Sequence, residues 1–390
     1  MKAIVQMQKA VEAISTYTGS IPLSIHLKQY SRLHKEMGSR DRRFLQQLTY
    51  QYFRLNNAIN ADSVGQKIAI AHILCNTEPD DFYKFWHKKN TFPIELLNND
   101  ISTKIDWTIK NKLFKGIQFQ FPLAENISEN IDVEVYLQSH LSQPYTWIRC
   151  KRKNIKAVKE ELNALATVYT TINDNETALA FSKHMDFSQM KTFEKGFFEV
   201  QDLSSQLTGT LFQPKQQQIW WDCCAASGGK SLLLKDIEPT VKLFATDNRP
   251  TIIENLKRRF KKANISNFET AIADLEYGKP KFTQKFDGII LDAPCKGSGT
   301  WGRNPERMSF FDKNETVSNV EKQYKIALNA APFLKPDGKL IYITCSVYKQ
   351  ENEENVLRIA KATNLAVKEM KYFKGYTHNA DTMFGAVLSL

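Results

Sequence analysis

Two cysteines and one aspartate stand where short apolar stretches of this 390-residue chain end. One stretch, residues 286–291, is followed by Asp292 and then by Cys295; the other, residues 339–344, is followed directly by Cys345. Runs of this length and β-branched character are typical of buried strands in a parallel sheet. In open α/β sheets, ligands bind outside the carboxyl ends of the strands. We therefore expect the three side chains to meet in one crevice, where two thiols could act on a bound substrate.

The chemistry of these thiols depends on how readily they ionise. A free cysteine has a pKa of about 8.5, so only a small fraction is thiolate near neutral pH. A strand end near a lysine or a helix N-terminus can lower this pKa and produce a nucleophile, and both Cys295 and Cys345 qualify by position. We interpret the remaining cysteines as small turn residues or buried structural thiols: Cys75, Cys150, Cys223 and Cys224.

A turn of small residues follows another predicted strand, residues 219–222. The turn consists of Cys224, Ala225, Ala226, Ser227, Gly228, Gly229 and Lys230. A nucleoside triphosphate loop would need a glycine at position 224, so that interpretation fails. A small-residue turn that opens a helix instead lets a cofactor approach the backbone and the helix N-terminus.

Two further aspartates close the next two predicted strands. Asp247 follows residues 241–246, about 20 residues beyond the turn, where a carboxylate typically accepts hydrogen bonds from ribose hydroxyls. Asp274 follows residues 268–273 and could accept a hydrogen bond from an adenine amino group. Either aspartate could instead be a helix N-cap. Three such strand ends in register favour a nucleoside-type cofactor.

The composition is that of a basic globular protein. Its formal net charge of +11 favours a polyanionic partner, although solubility alone could account for it. No apolar run approaches the length of about 20 residues that a membrane span requires, and the N-terminus lacks the apolar block of a secretory signal. Six cysteines are too few for a disulfide scaffold, and none has zinc-site spacing. We expect a cytoplasmic monomer with free thiols, no metal and no membrane contact.

Changes of pattern along the chain predict three regions. Residues 1–115 carry helical stripes and form an all-helical domain, which serves either for docking or as a structural cap. Residues 116–195 contain a linker and a small α+β domain, whose basic run at 151–153 faces either a phosphate backbone or water. Residues 196–390 alternate strand and helix, which predicts an α/β domain with a doubly wound, largely parallel sheet.

The residues around the two cysteines resemble the motifs of one enzyme family. Residues 292–299, Asp-Ala-Pro-Cys-Lys-Gly-Ser-Gly, look like motif IV of the Sun/Fmu/Nop family of RNA cytosine-5 methyltransferases. Residues 344–346, followed by Glu-Asn-Glu at 351–353, resemble motif VI, and residues 222–230 resemble the cofactor loop. The helix that begins near residues 40–42 resembles the NusB-like domain of the bacterial branch that methylates small-subunit ribosomal RNA.

The resemblance implies a fold and a division of roles. It implies a Rossmann-like methyltransferase domain, preceded by a ferredoxin- or RRM-like domain and a NusB-like domain, acting on RNA with 16S rRNA as the expected substrate. In the family the motif VI cysteine, here Cys345, attacks C6 of cytosine, and the motif IV cysteine, here Cys295, assists product release from the other side of a flipped base. Asp292 would hydrogen-bond that base. The implied contacts of the cofactor, S-adenosyl-L-methionine, are the turn from Cys224 to Lys230, Asp247, Asp274 and Asp292, with Lys230 at the methionine carboxylate.

The chain departs from the family pattern at several positions. Ser227 replaces a proline of the cofactor loop, Ile252 replaces an arginine whose place Arg249 could take, and residues 149–151 replace a common Arg-Val-Asn. Three alternatives stay open: a tRNA substrate, methylation of an exocyclic amine, or an RNA-binding ribosome-assembly factor without turnover. Amine methylation needs no cysteine pair, and an intact pair argues against loss of turnover.

Overall fold

The computed structural model describes residues 2–76, 80–90, 92–93, 95–96, 99–172, 175–183 and 185–390. Contacts divide the chain into two compact units. The first comprises Met1–Glu125, Asp132–Gln143 and Trp301–Asp312; the second comprises Asn126–Ile131, Pro144–Thr300 and Lys313–Leu390. All the residues expected to do chemistry therefore belong to the second unit.

The first unit is helical because its apolar residues recur at helical spacing. Leu23, Leu27 and Leu48 lie on such stripes and are fully buried in one core. Its helices are α1 (Ala3–Ser15), α2 (Leu23–Leu33), α3 (Ser39–Leu55), α4 (Val64–Cys75), α5 (Asp81–Asn90), α6 (Ile101–Lys110), α7 (Val133–Ser139) and, from the later segment, α13 (Glu306–Ser309).

A small antiparallel sheet begins the second unit. Its elements are β1 (Thr146–Cys150), α8 (Ile155–Ala164), β2 (Thr170–Ile172), β3 (Asn175–Phe181), α9 (Lys191–Glu194) and β4 (Phe198–Val200). The strands lie in the order β2-β3-β1-β4, and every neighbouring pair is antiparallel. Val158 and Leu162 of α8 pack on this sheet in a common core with Ile148 and Phe198.

A seven-stranded sheet forms the rest of the second unit. Its elements are α10 (Leu203–Leu207), β5 (Ile219–Asp222), α11 (Gly229–Ile237), β6 (Lys242–Asp247), α12 (Pro250–Lys262), β7 (Phe268–Ile272), β8 (Phe286–Asp292), α14 (Lys313–Ala330), β9 (Leu334–Thr344), α15 (Glu353–Thr363), β10 (Ala366–Lys374) and β11 (Thr382–Ser389). The strand order is β10-β11-β9-β8-β5-β6-β7. Strands β5 to β9 pair in parallel, whereas β11 pairs antiparallel with both β9 and β10.

Alternating residues of the central strands enter two different cores. Ile289 and Leu291 share one core with residues of α14 and α15, whereas Ile290 belongs to another with residues of α11 and α12. A strand buried on both faces needs the continuous apolar run seen in the sequence. Helices therefore cover both faces, and the prediction of a doubly wound Rossmann-like sheet is confirmed.

Several details differ from the sequence-based prediction. Strand β3 and helix α15 were not predicted, and the helix expected over 320–334 runs instead over Lys313–Ala330. The sheet is mixed, because its last two strands return as an antiparallel hairpin. The segment Trp301–Asp312 lies within the predicted catalytic region but belongs to the helical unit.

Candidate active site

A cavity of about 490 Å³ lies at the carboxyl edge of the large sheet. Its wall brings together residues from four consecutive strand ends, as expected for an open α/β sheet. The wall includes Cys224, Ala226, Asp247, Asp274, Asp292 and Lys322. We call it the cofactor cavity.

The turn after β5 is held against the neighbouring strands by its backbone. The Ala225 N–H donates to the Thr246 carbonyl (2.9 Å), and the Gly228 N–H donates to the Ala225 carbonyl (2.8 Å). Gly228 has φ +86° and directly precedes α11; a Cβ there would lie 2.8 Å from the Phe260 ring, so only glycine fits. Gly229 is the first residue of that helix. The backbone tolerates Ser227, whose carbonyl and hydroxyl oxygens each accept from Arg259 at 2.8 Å.

Asp247 ends β6 with both carboxylate oxygens oriented by hydrogen bonds. It accepts from Nε and Nη2 of Arg249 (2.9 and 3.0 Å) and from the Ala226 N–H (3.1 Å). Burial would raise the pKa of Asp247, but the bonds from Arg249 outweigh burial and lower it. The Arg249 N–H also donates to Asp247 Oδ1 at 3.0 Å. A carboxylate offers about four lone-pair sites, so ribose hydroxyls would have to replace the bonds from the Arg249 side chain. Asp274, on the opposite wall, accepts from Asn248 Nδ2 at 3.0 Å.

Lys230 lies against Asp292 and is not among the residues that line the cofactor cavity. It is 5% exposed, its Nζ is 3.2 Å from Asp292 Oδ2, and it donates to Ser205 Oγ at 2.7 Å. The structure thus places Lys230 as the partner of Asp292. Asp222, also fully buried, accepts from Ser231 Oγ (2.7 Å), and burial raises the pKa of Asp222 to about 7.

The two predicted thiols are in direct contact. Cys295 Sγ lies 3.3 Å from Cys345 Sγ. At this separation the ring of a nucleotide base can lie beside the two sulfur atoms but not between them. The hydrogen bond with Cys345, together with burial, raises the pKa of Cys295 well above its ordinary value. The expectation that Cys295 would have a lowered pKa is therefore wrong, because its nearest polar neighbour is another thiol rather than a cation.

Short hydrogen bonds join the two cysteine loops. The Gly299 N–H donates to the Cys345 carbonyl (2.9 Å), and the Val347 N–H donates to Ser298 Oγ (3.0 Å). A Cβ on Gly299 would overlap the Thr382 carbonyl oxygen, which explains the second glycine of the motif. The two loops are therefore held directly against each other.

A buried polar network supports both loops from below. Glu351 Oε1 accepts from the Lys296 N–H and from Gln323 Nε2, each at 3.0 Å. Gln323 Nε2 also donates to the Pro294 carbonyl (2.9 Å), and Asn352 Nδ2 donates to the Ser346 carbonyl (2.9 Å). Sequence reasoning gave these residues no role. Glu351 and Asn352 stood in a recognised motif, whereas Gln323, on α14, carried no signal.

The fold and the candidate active site together identify a class of protein. Carboxylates at successive strand ends suit the hydroxyl and amino donors of a nucleoside, and the turn brings backbone close to the cavity, so the residues present fit S-adenosyl-L-methionine. The seven-stranded sheet with its antiparallel hairpin and this donor set make the second unit a Rossmann-like methyltransferase, a class whose methyl donor is S-adenosyl-L-methionine.

Comparison with known families gives a narrower assignment. Residues 209–386 match the family described as "16S rRNA methyltransferase RsmB/F". Curated relatives include ribosomal RNA small subunit methyltransferase B of Shewanella oneidensis, 32% identical over 230 residues (57% of this chain and 52% of the relative). The Vibrio cholerae protein of the same name is 27% identical over 233 residues (58% and 53%). The chain thus spans about half the length of the curated relatives it matches.

Solved structures show the same fold. The crystal structure of PH0851 has a TM-score of 0.74 at 19% identity and covers 99% of this chain and 98% of the other. NSun6 from Pyrococcus horikoshii, solved with SFG, has a TM-score of 0.62 at 17% identity and covers 68% of this chain and 96% of the other.

Two structural features are absent from the described residues. No group of three or more His, Cys, Asp or Glu residues there is arranged to hold a metal ion. No helix in the described part of the chain is long and apolar enough to cross a bilayer. All six cysteines are free thiols.

Proposed function

We propose that the protein methylates C5 of a cytosine in RNA, with 16S rRNA as the substrate, and that it does so as a cytoplasmic monomer. The observation that carries the proposal is the pair of touching thiols, Cys295 and Cys345, on loops that follow adjacent strands beside the cofactor cavity. A methyltransferase acting on an amine needs no thiol, whereas C5 of cytosine is unreactive until a nucleophile adds to C6.

Cys345 is the nucleophile in this scheme. Its thiolate forms an Sγ–C6 bond, and the electrons of the C5–C6 double bond move toward C5. S-adenosyl-L-methionine, when bound, would supply an electrophilic methyl group to C5 and leave as S-adenosylhomocysteine. Water accepts the C5 proton, the C5–C6 double bond re-forms, and the Sγ–C6 bond breaks to release the Cys345 thiolate, so the enzyme is regenerated.

Cys295 serves the last stage. Burial and contact with Cys345 keep Cys295 protonated at neutral pH, so it is suited to donate a hydrogen bond to its neighbour rather than to attack the base. Asp292, with Lys230 at 3.2 Å, would bind the cytosine edge and the charge that develops there. The cofactor would be held by the turn from Cys224 to Gly229, by Asp247 and by Asp274.

The other regions would select the RNA. The order β-α-β-β-α-β with antiparallel neighbours supports a ferredoxin-like domain; its last strand, β4, ends at Val200, a few residues beyond the predicted range 116–195. We infer a NusB-like docking domain in residues 1–115 and catalysis in residues 196–390.

Two variants test the assignment of the thiols. Cys345→Ala should abolish methyl transfer to rRNA. Cys295→Ala should accumulate a covalent protein–RNA adduct, visible as a slow band on a denaturing gel, because product release fails. The matched control is Cys75→Ala, which removes a thiol of the helical unit and should leave turnover intact. An adduct with Cys345→Ala instead would reverse the roles.

The RNA substrate is tested separately. Purified protein, labelled cofactor and either 16S rRNA or total tRNA are incubated, and bisulfite sequencing locates the modified cytosine. Label in tRNA alone would overturn the rRNA assignment, and absence of label from both would leave only a binding role.

A further inference from the structure

A second cavity, of about 740 Å³, lies between the small sheet and the helices of the large sheet. Its wall includes Arg149, Lys151, Arg152, Lys153, Lys235 and Asp236. We call it the basic cavity. The last residue of α11, Ile237, and the residue after α12, Ala263, also line it. Helices of a βαβ unit run back against their strands, so the basic cavity lies at the amino edge of the large sheet, opposite the cofactor cavity.

The cations of the basic cavity greatly exceed its anions. Five of these side chains are cationic, and Asp236 is the single carboxylate among the lining residues. Asp236 is already taken by Nη1 of Arg149. Lys151 donates to the Ala263 carbonyl (3.1 Å) and Lys235 to the Pro239 carbonyl (2.6 Å), so both ammonium groups bind backbone carbonyls. Glu238 is the acidic neighbour of Lys235.

Arg149 supplies an independent observation. It is 6% exposed, and its Nε donates to Gln201 Oε1 at 2.7 Å, yet its Nη2 has no hydrogen-bond partner among the described residues. A buried donor without an acceptor costs about 1–3 kcal/mol, more when it is charged. An anion in the basic cavity would reduce that cost and balance the surplus charge.

We propose that the basic cavity binds a backbone phosphate of the RNA whose cytosine is methylated, with Arg152 and Lys153 contacting the strand at its entrance. This inference rests on the proposed function for the identity of the RNA. A polyanion is favoured over a small anion because Arg152 and Lys153, which line the cavity, are also exposed on a turn, where they extend the positive surface beyond one phosphate.

The placement sets a minimum length for the RNA. The seven residues of β8 separate the two edges of the sheet by about 23 Å at about 3.3 Å per residue. At about 3.4 Å of helix axis per nucleotide, a strand that reaches both cavities needs on the order of seven nucleotides or more. Shorter RNA could occupy the catalytic site without entering the basic cavity.

The test compares two charge-matched double variants of the full chain. Arg152→Ala/Lys153→Ala removes the entrance cations, and Lys361→Ala/Lys368→Ala removes two exposed lysines from α15 and β10. Fluorescence anisotropy with a labelled rRNA fragment, without cofactor, measures affinity over a range of salt. We expect the first variant to bind about 3- to 10-fold more weakly, with a salt slope smaller by about 1, and the control to match the wild type.

Further readouts separate the outcomes. RNA should protect Lys151 and Lys153, but not Lys361, from acylation, and an oligonucleotide of about five nucleotides should bind both variants equally. Equal loss of affinity in the two variants would overturn the proposal. Inorganic phosphate could also stabilise the wild type but not the Arg152→Ala/Lys153→Ala variant, while both proteins bind RNA with equal affinity. That result would identify a small-anion site and would also overturn the proposal. Because binding is measured without turnover, failure of the proposed methylation would register separately.

Discussion

Glu351 is the residue whose removal most directly tests how the two cysteine loops are held. It is fully buried, and its Oε1 accepts from the Lys296 N–H beside Cys295 and from Gln323, which in turn holds the Pro294 carbonyl. Glu351→Ala leaves the Lys296 N–H without its acceptor and removes one of the two acceptors of Gln323 Nε2. Glu351→Gln keeps an oxygen at that position and is the matched control.

The size of the effect follows from these contacts. Each buried donor left unsatisfied costs about 1–3 kcal/mol. Burial raises the pKa of Glu351, so the wild-type carboxylate carries a desolvation cost that the alanine variant no longer has. We therefore expect a net loss of about 3 kcal/mol for Glu351→Ala and about 1 kcal/mol or less for Glu351→Gln. A displacement of about 1 Å at Cys295 should lower kcat on the order of 10²-fold.

Urea denaturation and single-turnover methylation measure the two effects. Glu351→Ala should unfold at lower urea and lose kcat at saturating RNA, with little change in the KM for RNA, since the proposed phosphate contacts of the basic cavity lie at the other edge of the sheet. If the alanine variant unfolds at the wild-type midpoint, or the glutamine variant is equally damaged, the proposed role of the Oε1 acceptor is refuted.

Three further substitutions have defined outcomes. Between pH 3.8, the ordinary pKa of Asp222, and about pH 7, the folded state holds a proton on Asp222, so stability falls as pH rises through that window. Above pH 7, thermal unfolding should show that Asp222→Asn is more stable than the wild type by up to about 4 kcal/mol. Gly299→Ala should lower the free energy of unfolding by about 1–3 kcal/mol and turnover at least about tenfold, because the new Cβ meets the Thr382 carbonyl. The control Gly278→Ala, at a glycine with open space around it, should change neither quantity. Arg249→Met should raise the pKa of Asp247, so this carboxylate becomes protonated at a higher pH. When the pH is lowered from about 8 to about 5, the KM for cofactor should therefore begin to rise at a higher pH in the variant than in the wild type.

Strand ends were predictable because a fully buried parallel strand needs an uninterrupted apolar run. That rule alone predicts that Asp247, Asp292 and Cys345 lie at one edge of the sheet.

The rest depended on contacts between residues distant in sequence. The pKa of Cys295 is set by a thiol fifty positions away, and Gln323 acquires its role only when α14 packs below the loops. Strand β3 escaped prediction because its first residues are polar and only its second half is buried. Segment 301–312 looked like catalytic-domain sequence, but it belongs to the helical unit, and its Trp301 and Met308 are buried.

That segment constrains how the molecule can be dissected. Trp301, 1% exposed, packs on Phe121, and buried Glu306 accepts from the Leu23 N–H, so the peptide that leaves the Cys295 loop completes the hydrophobic interior of the helical unit. An expression fragment starting near residue 144 would release Trp301 and Met308 into water. The N-terminal half would lose part of its own interior at the same cut, so neither piece should behave as an independent module.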